Sequence, residues 1–101
     1  MAVAAGIATL AVAVPFAEGA NKTVTVKGFK FTPSSVSVRK GDTVTWRFQR
    51  DPAPHNVKGS GGIKSASRIT TGTYKKKFTR AGTFRYICTI HPNMKGTVTV
   101  R

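Results

Sequence analysis

The sequence predicts an all-β domain, a small antiparallel sandwich of about seven or eight short strands. Three observations carry that expectation. Apolar residues alternate with Thr, Ser, Lys and Arg in several short runs, the period of a half-buried strand. Gly, Pro, Asp and Ser cluster between those runs, where turns belong. After residue 19 no stretch sustains the 3.6-residue period of an amphipathic helix. A small β-barrel fits the same pattern and stays open as the alternative architecture.

In chain order, Met1 to Ala17 is apolar and uncharged, shorter than a comfortable membrane span. It reads as the apolar region of a secretory signal, with Ala17-Glu18-Gly19 suiting a cut after Gly19. No basic segment precedes it, so an uncleaved N-terminal anchor or a buried N-terminal helix are the other readings. Residues 1–19 are therefore expected to be a signal peptide or anchor, and residues 20–101 one extracytoplasmic domain, periplasmic, cell-envelope or secreted.

Within that domain Val24 and Val26 alternate with Thr23, Thr25 and Lys27. Gly28 breaks the run, Phe29 and Phe31 flank Lys30, and Thr32-Pro33-Ser34 turns the chain. Val36 and Val38 alternate with Ser35, Ser37 and Arg39, followed by the turn Lys40-Gly41-Asp42. Val44, Trp46 and Phe48 then give the clearest alternation in the chain. Arg50 to Pro54 is loop, Lys58 to Gly62 is Gly-rich and flexible by composition, and Ala66 to Ile69 and Tyr74 to Phe78 are short strand candidates. Thr83 to Cys88 is a strand entered from Ala81-Gly82. Thr97 to Arg101 closes the domain with Val98 and Val100 inward.

Composition narrows the function. The chain has 101 residues and a single Cys, which excludes an internal disulfide framework, so packing and a bound metal are the available supports. Seventeen Lys and Arg against three Asp and Glu give a formal charge of +14, which favours anionic partners. The partner expected is an acidic redox protein, with an anionic membrane or wall polymer as a second possibility and a purely solubilising surface as the plain reading. Nucleic acid is disfavoured, because the aromatics fall in the inward phase of strands and leave no stacking platform. The carboxylates are Glu18, Asp42 and Asp51, in leader, turn and loop; they offer no acid–base pair, and no enzymatic turnover is expected.

One stretch gathers the metal-binding chemistry. Cys88, His91 and Met94 bring a thiol, an imidazole and a thioether together at C-x-x-H-x-x-M spacing, and His55 lies 33 residues before Cys88. Strand parity puts Phe84, Tyr86 and Cys88 on one face. The aromatics make it the core face, so the thiol enters at the core's end, where a loop begins. A thiolate, two imidazoles and a weak axial thioether are the donors of an electron-transfer copper site. Each residue alone has a plainer reading: a buried structural thiol for Cys88, a surface or hydrogen-bonded His55, core filler for Met94, a turn residue for Asn56. Zinc suits the same donors except the thioether.

The segments Gly41-Asp42-Thr43-Val44-Thr45-Trp46, Pro54-His55-Asn56-Val57 and Cys88-Thr89-Ile90-His91-Pro92-Asn93-Met94 resemble the cupredoxins, specifically the plastocyanin/amicyanin-like group, over nearly all of residues 22–101. The gap between His91 and Met94 resembles the short amicyanin loop. The resemblance implies a Greek-key sandwich, a monomer, and one copper ion per chain held by His55, Cys88, His91 and Met94 and cycling between Cu(II) and Cu(I). It also implies that Asn56 donates its backbone N–H to the Cys88 sulfur and tethers the Thr89 segment.

Two positions depart from that group. Ile90 stands where amicyanin-like loops carry Pro, so its backbone N–H is a candidate second donor to the Cys88 sulfur. Ile87 stands where plastocyanin-like proteins place a Tyr. The electron exit expected is therefore the exposed edge of His91, with the partner docking near it. Two functions from other classes remain: an extracytoplasmic copper-handling protein for delivery or storage, and a basic metal-free adhesion module.

Overall fold

The structure, a computed structural model, describes residues 21–101; the expected leader at 1–19 lies outside the described residues. Its eight strands are β1 (Asn21–Lys27), β2 (Lys30–Thr32), β3 (Ser35–Val38), β4 (Thr43–Phe48), β5 (Lys58–Gly59), β6 (Gly72–Lys77), β7 (Gly82–Ile87) and β8 (Lys95–Val100). They form two four-stranded sheets, ordered β2-β1-β4-β6 and β3-β8-β7-β5. Among the described residues no helix is long and apolar enough to cross a membrane.

The alternation read from sequence is what fills the space between the sheets. Val24, Val26, Val44, Trp46 and Phe48 point inward from one sheet, and Val36, Val38, Tyr86, Val98 and Val100 are their buried counterparts from the other. Each such side chain contributes roughly 1.5–3 kcal/mol by leaving water. Trp46 and Tyr86 meet edge to face at 5.3 Å across the core, and Phe31 meets Tyr86 at 4.8 Å. Burial raises the Tyr86 phenol above its ordinary pKa. The glycine at 96 belongs to this packing, because a Cβ there would run into the Tyr86 ring and hydroxyl.

Three expectations are corrected. The sheets are mixed: β1 runs parallel to β4 and β3 parallel to β8, while the other pairs are antiparallel. The chain crosses between sheets at β3 and again at β4, so the parallel neighbours β1 and β4, and β3 and β8, are not joined by hairpins. Ala66 to Ile69 forms no strand; Ile69 makes only an isolated bridge to His55. The Gly-rich segment expected to be flexible instead begins as β5, pairing Lys58 with Ile87 and Gly59 with Tyr86. Gly59 can lie there because any Cβ would strike the backbone of β7.

The turn between β1 and β2 positions the site. Lys27 pairs with Lys30, leaving Gly28-Phe29 as a two-residue hairpin loop. Both residues are left-handed, at φ 63° and 62°, the pattern of a type I′ turn. The turn breaks the alternation that Phe29 and Phe31 suggest: Phe31 is buried, whereas Phe29 is 55% exposed.

Candidate metal centre

Cys88 follows the last residue of β7 and is wholly buried and free of any disulfide. The segment after it folds back on itself. Met94 N–H donates to His91 O at 2.8 Å, and Cys88 N–H donates to Met94 O at 3.1 Å. This double closure explains the short spacing: the backbone of Met94 is tied to both residues that precede it in the motif. Met94 is 3% exposed and packs into the core.

His55 arrives from the loop between β4 and β5 and is likewise wholly buried. Its backbone makes a two-way bridge with Ile69, donating at 3.0 Å and accepting at 2.9 Å. Its ring Nε2 lies 3.1 Å from Asp51 Oδ2. A neutral imidazole that donates its Nε2–H to a carboxylate as a hydrogen bond keeps its lone pair on Nδ1. That Nδ1 is 4.0 Å from the Cys88 sulfur.

Asn56 ties the two loops together. Its backbone N–H points at the Cys88 sulfur at 3.5 Å. Its side-chain amide donates to Thr89 Oγ1 at 2.7 Å and to Ser67 O at 2.9 Å, while its Oδ1 accepts from Thr89 N–H at 2.8 Å. Ile90 behaves otherwise than expected. Among the described residues the N–H hydrogen-bonded to the Cys88 sulfur is that of Asn56, and Ile90 N–H makes no such bond. Ile90 instead packs its half-buried side chain against the core.

His91 is held differently from His55. Its ring stands 5.1 Å from the His55 ring, and its Nε2 is buried with no hydrogen-bond partner. That nitrogen is covered, while His91 as a residue is half-buried and keeps part of its surface open to solvent. Phe29 meets the His91 ring edge to face at 4.8 Å and the His55 ring at 5.6 Å.

Asp51 is the residue that sequence reasoning passed over as an ordinary loop carboxylate. It accepts from Gly28 N–H at 3.0 Å and Ala53 N–H at 3.1 Å, besides facing His55. The Gly28 N–H, then the Ala53 N–H and the His55 side chain, hold its pKa below the ordinary value of 3.8. Its signal in the sequence was a carboxylate four residues before a histidine in a Pro-rich loop. Phe29 was passed over because its neighbour Phe31 made the pair look like inward alternation.

The donors fit a copper ion. A buried thiol faces an imidazole nitrogen, a second buried imidazole nitrogen lacks a partner, and a thioether residue closes the loop behind them. Burying an unpartnered polar atom is costly, and soft and borderline donors of this kind suit copper. Among the described residues no group of three His, Cys, Asp or Glu side chains closes on a common point. The close pair is Cys88 with His55, and His91 adjoins it through the His55 ring.

Comparison with known proteins agrees with this chemistry. A family model described as copper binding proteins of the plastocyanin/azurin family matches residues 17–101. Amicyanin of Paracoccus denitrificans is 37% identical over 83 residues, covering 76% of this chain; the chain spans 63% of that protein's length. Amicyanin-alpha of Methylorubrum extorquens is 35% identical over 94 residues, 87% of this chain and 78% of its own. The crystal structure of amicyanin from Paracoccus versutus superposes with a TM-score of 0.67 at 31% identity, covering 79% of this chain and 80% of that one.

Proposed function

We infer the function from the chain's place in the plastocyanin/azurin family of copper-binding proteins, to which it belongs. It is a cupredoxin, a one-electron carrier with one copper ion per chain and no enzymatic turnover of its own. Copper supplies a Cu(II)/Cu(I) couple. His55, Cys88, His91 and Met94 are the residues proposed to hold it, and the contact of Cys88 with His55 at 4.0 Å is the observation that carries the assignment.

The protein's own contribution is rigidity. Asp51 fixes the His55 ring, and the Asn56 side chain staples the His55 loop to Thr89, next to Cys88. Asn56 N–H directs a hydrogen bond at the sulfur, withdrawing charge from it in either oxidation state. A site whose donors are fixed by such contacts reorganises little when one electron comes or goes. Core packing around Cys88 and Met94 keeps bulk water from the donors.

The carrier exchanges electrons with a redox protein. The +14 charge supports an acidic one, steered to the copper end by long-range attraction and docking near His91. The same charge suits an anionic membrane or wall surface as a place of residence. The apolar segment at 1–17 supports an extracytoplasmic location, with residues 20–101 acting as the copper domain, and the domain is proposed to work as a monomer.

Voltammetry of the copper-loaded chain tests the reading. A reversible one-electron wave, with copper retained against a chelator through repeated cycles, is expected. Copper lost to the chelator on each reduction would overturn it in favour of copper delivery. Cys88→Ser should abolish both the wave and the visible colour. An adhesion module would bind its surface unchanged after that substitution.

A further inference from the structure

The pole farthest from the copper donors holds two features that electron carriage leaves unexplained, the lysine run Lys75-Lys76-Lys77 and the Gly-rich turn Ser60-Gly61-Gly62. β6 ends at this pole, where Gly41 N–H donates to Phe78 O and Phe78 N–H to Asp42 O. β7 starts here at Gly82 and runs six residues before Cys88, which puts the pole roughly 20 Å from the thiol.

The run and the turn meet over two aromatic rings. Phe78 and Phe84 pack at 5.7 Å, and Gly61 lies so close to Phe84 that a Cβ would run into the ring. Gly61 and Gly62 are both left-handed, at φ 70° and 85°, which bends the turn down onto that ring with no side chain in the way. Lys76 pairs with the buried Val44, so it takes the inward phase of its strand. Its ammonium accordingly lies over the Phe78 ring, 5.7 Å from the centroid. The recess left between them holds about 30 Å³ and is completed by Lys77, Thr79 and Arg80. Every polar side chain around it can donate a hydrogen bond, and none is acidic.

Cations gathered this closely lack an answering charge. Among the described residues Lys76, Lys77 and Arg80 have no ion-pair partner; the ion pair there is His55 with Asp51. Asp42, the acidic side chain of this pole, is buried and accepts Arg39 N–H instead. Lysines on an edge strand deter pairing with other chains. That accounts for Lys75 and Lys77, but not for a recess that the following loop completes with Thr79 and Arg80. Three cations and a hydroxyl around space for about two water molecules suit the oxygens of one tetrahedral oxyanion.

The surroundings say what carries that oxyanion. Asn21 pairs with Thr43 and Thr43 with Lys77, so β1 begins at the same pole, and exposed Lys22 and Lys40 flank it. The chain therefore enters the domain here, with the apolar segment 1–17 just before it in sequence. An apolar segment joined to a ring of cations is the two-part signal that holds proteins to anionic bilayers.

From these observations we propose that the recess is a phosphate site that takes the headgroup phosphate of an anionic phospholipid, seating this pole on a membrane with the copper donors turned away from it. Arg80 offers a planar fork to two oxygens, Lys76 a point charge from the aromatic side, and Thr79 a hydroxyl donor. The proposal rests on the membrane reading of the charge given above and is independent of the copper reading.

The test is flotation of the full copper-loaded chain with vesicles of phosphatidylcholine alone or with added phosphatidylglycerol. The wild-type chain should partition at least about tenfold more strongly onto the anionic vesicles. Lys76→Met with Arg80→Gln removes two charges and keeps the Lys76 stem over Phe78; it should cut the anionic partitioning about tenfold. Lys27→Gln with Arg47→Gln removes the same charge elsewhere and should stay within about threefold of wild type. In a parallel NMR titration with inorganic phosphate against matched chloride, the amides of Gly61, Gly62 and residues 76–80 should shift most. Equal losses in the two double variants would show diffuse attraction and overturn the site while leaving the membrane reading intact. Phosphate shifts at the recess with vesicle binding unaffected by Lys76→Met and Arg80→Gln would assign the recess to free phosphate and overturn the lipid. A wild-type chain indifferent to phosphatidylglycerol would remove the membrane reading as well, with the colour and redox wave of the copper site untouched.

Discussion

The two histidines of the site come from loops built on opposite principles. His55 is immobilised from three sides: its backbone bridges Ile69, its Nε2 faces Asp51, and its neighbour Asn56 grips Thr89. His91 has no side-chain hydrogen bond among the described residues; its ring is held by contact with Phe29 and His55. The difference teaches where rigidity resides. The first loop carries polar fastening and the second carries apolar packing, so each should fail in its own way when disturbed.

The largest effect should come from cutting the staple between them. Asn56→Ala removes three side-chain hydrogen bonds and leaves Thr89 N–H without its acceptor. At about 1 kcal/mol per bond plus an unsatisfied donor, the metal-free chain should lose roughly 2–4 kcal/mol in denaturant unfolding. A loss under about 1 kcal/mol would mean that the loops hold together without it.

Disturbing the seat of the second loop should come next. Gly96 follows the motif by two residues and lies against Tyr86, so Gly96→Ala forces an added Cβ into that ring. Overpacking of this kind typically costs about 1–3 kcal/mol. Thermal unfolding measures it, and an unchanged midpoint would show that β8 can shift without loss.

A smaller effect, with a pH signature, belongs to the His55 loop. The Asp51 pKa is depressed in the folded chain, chiefly by Gly28 N–H, then by Ala53 N–H and His55. A depressed carboxylate stabilises the fold above its unfolded value, near 3.8, and that contribution fades as pH falls through the lower folded value. Metal-free Asp51→Asn should therefore be less stable than wild type at neutral pH, and the two should converge in acid. A gap that stays constant down the pH range would assign the loss to packing instead of charge.

The smallest effect is expected at Ile90. Its N–H makes no hydrogen bond to the Cys88 sulfur, so Ile90→Pro should leave the reduction potential essentially where it was. A clear drop in potential on the same voltammogram would show a second sulfur hydrogen bond that forms with the metal in place.

The contrast also marks what the sequence could tell. Donor types and spacings in Cys88, His91 and Met94 were legible because few functions need a thiol, an imidazole and a thioether so close together. Strand parity placed Cys88 correctly at the end of the core, because period-2 alternation is local. The mixed sheets were not legible: whether β1 meets β4 in parallel depends on where β3 crosses, which no local pattern records. Asp51 and Phe29 escaped for a related reason. Their partners lie 23 residues away at Gly28 and across three loops, and a loop carboxylate or a Phe beside a buried Phe has no distinctive local mark.

The central claim is that these donors form one copper site of the electron-transfer kind. Absorption and EPR spectra of the Cu(II)-loaded domain test it most directly. An intense visible band from the Cys88 sulfur, with the narrow copper hyperfine splitting of a strongly covalent thiolate site, is the predicted result. A colourless adduct with the wide splitting of ordinary tetragonal Cu(II) would contradict it.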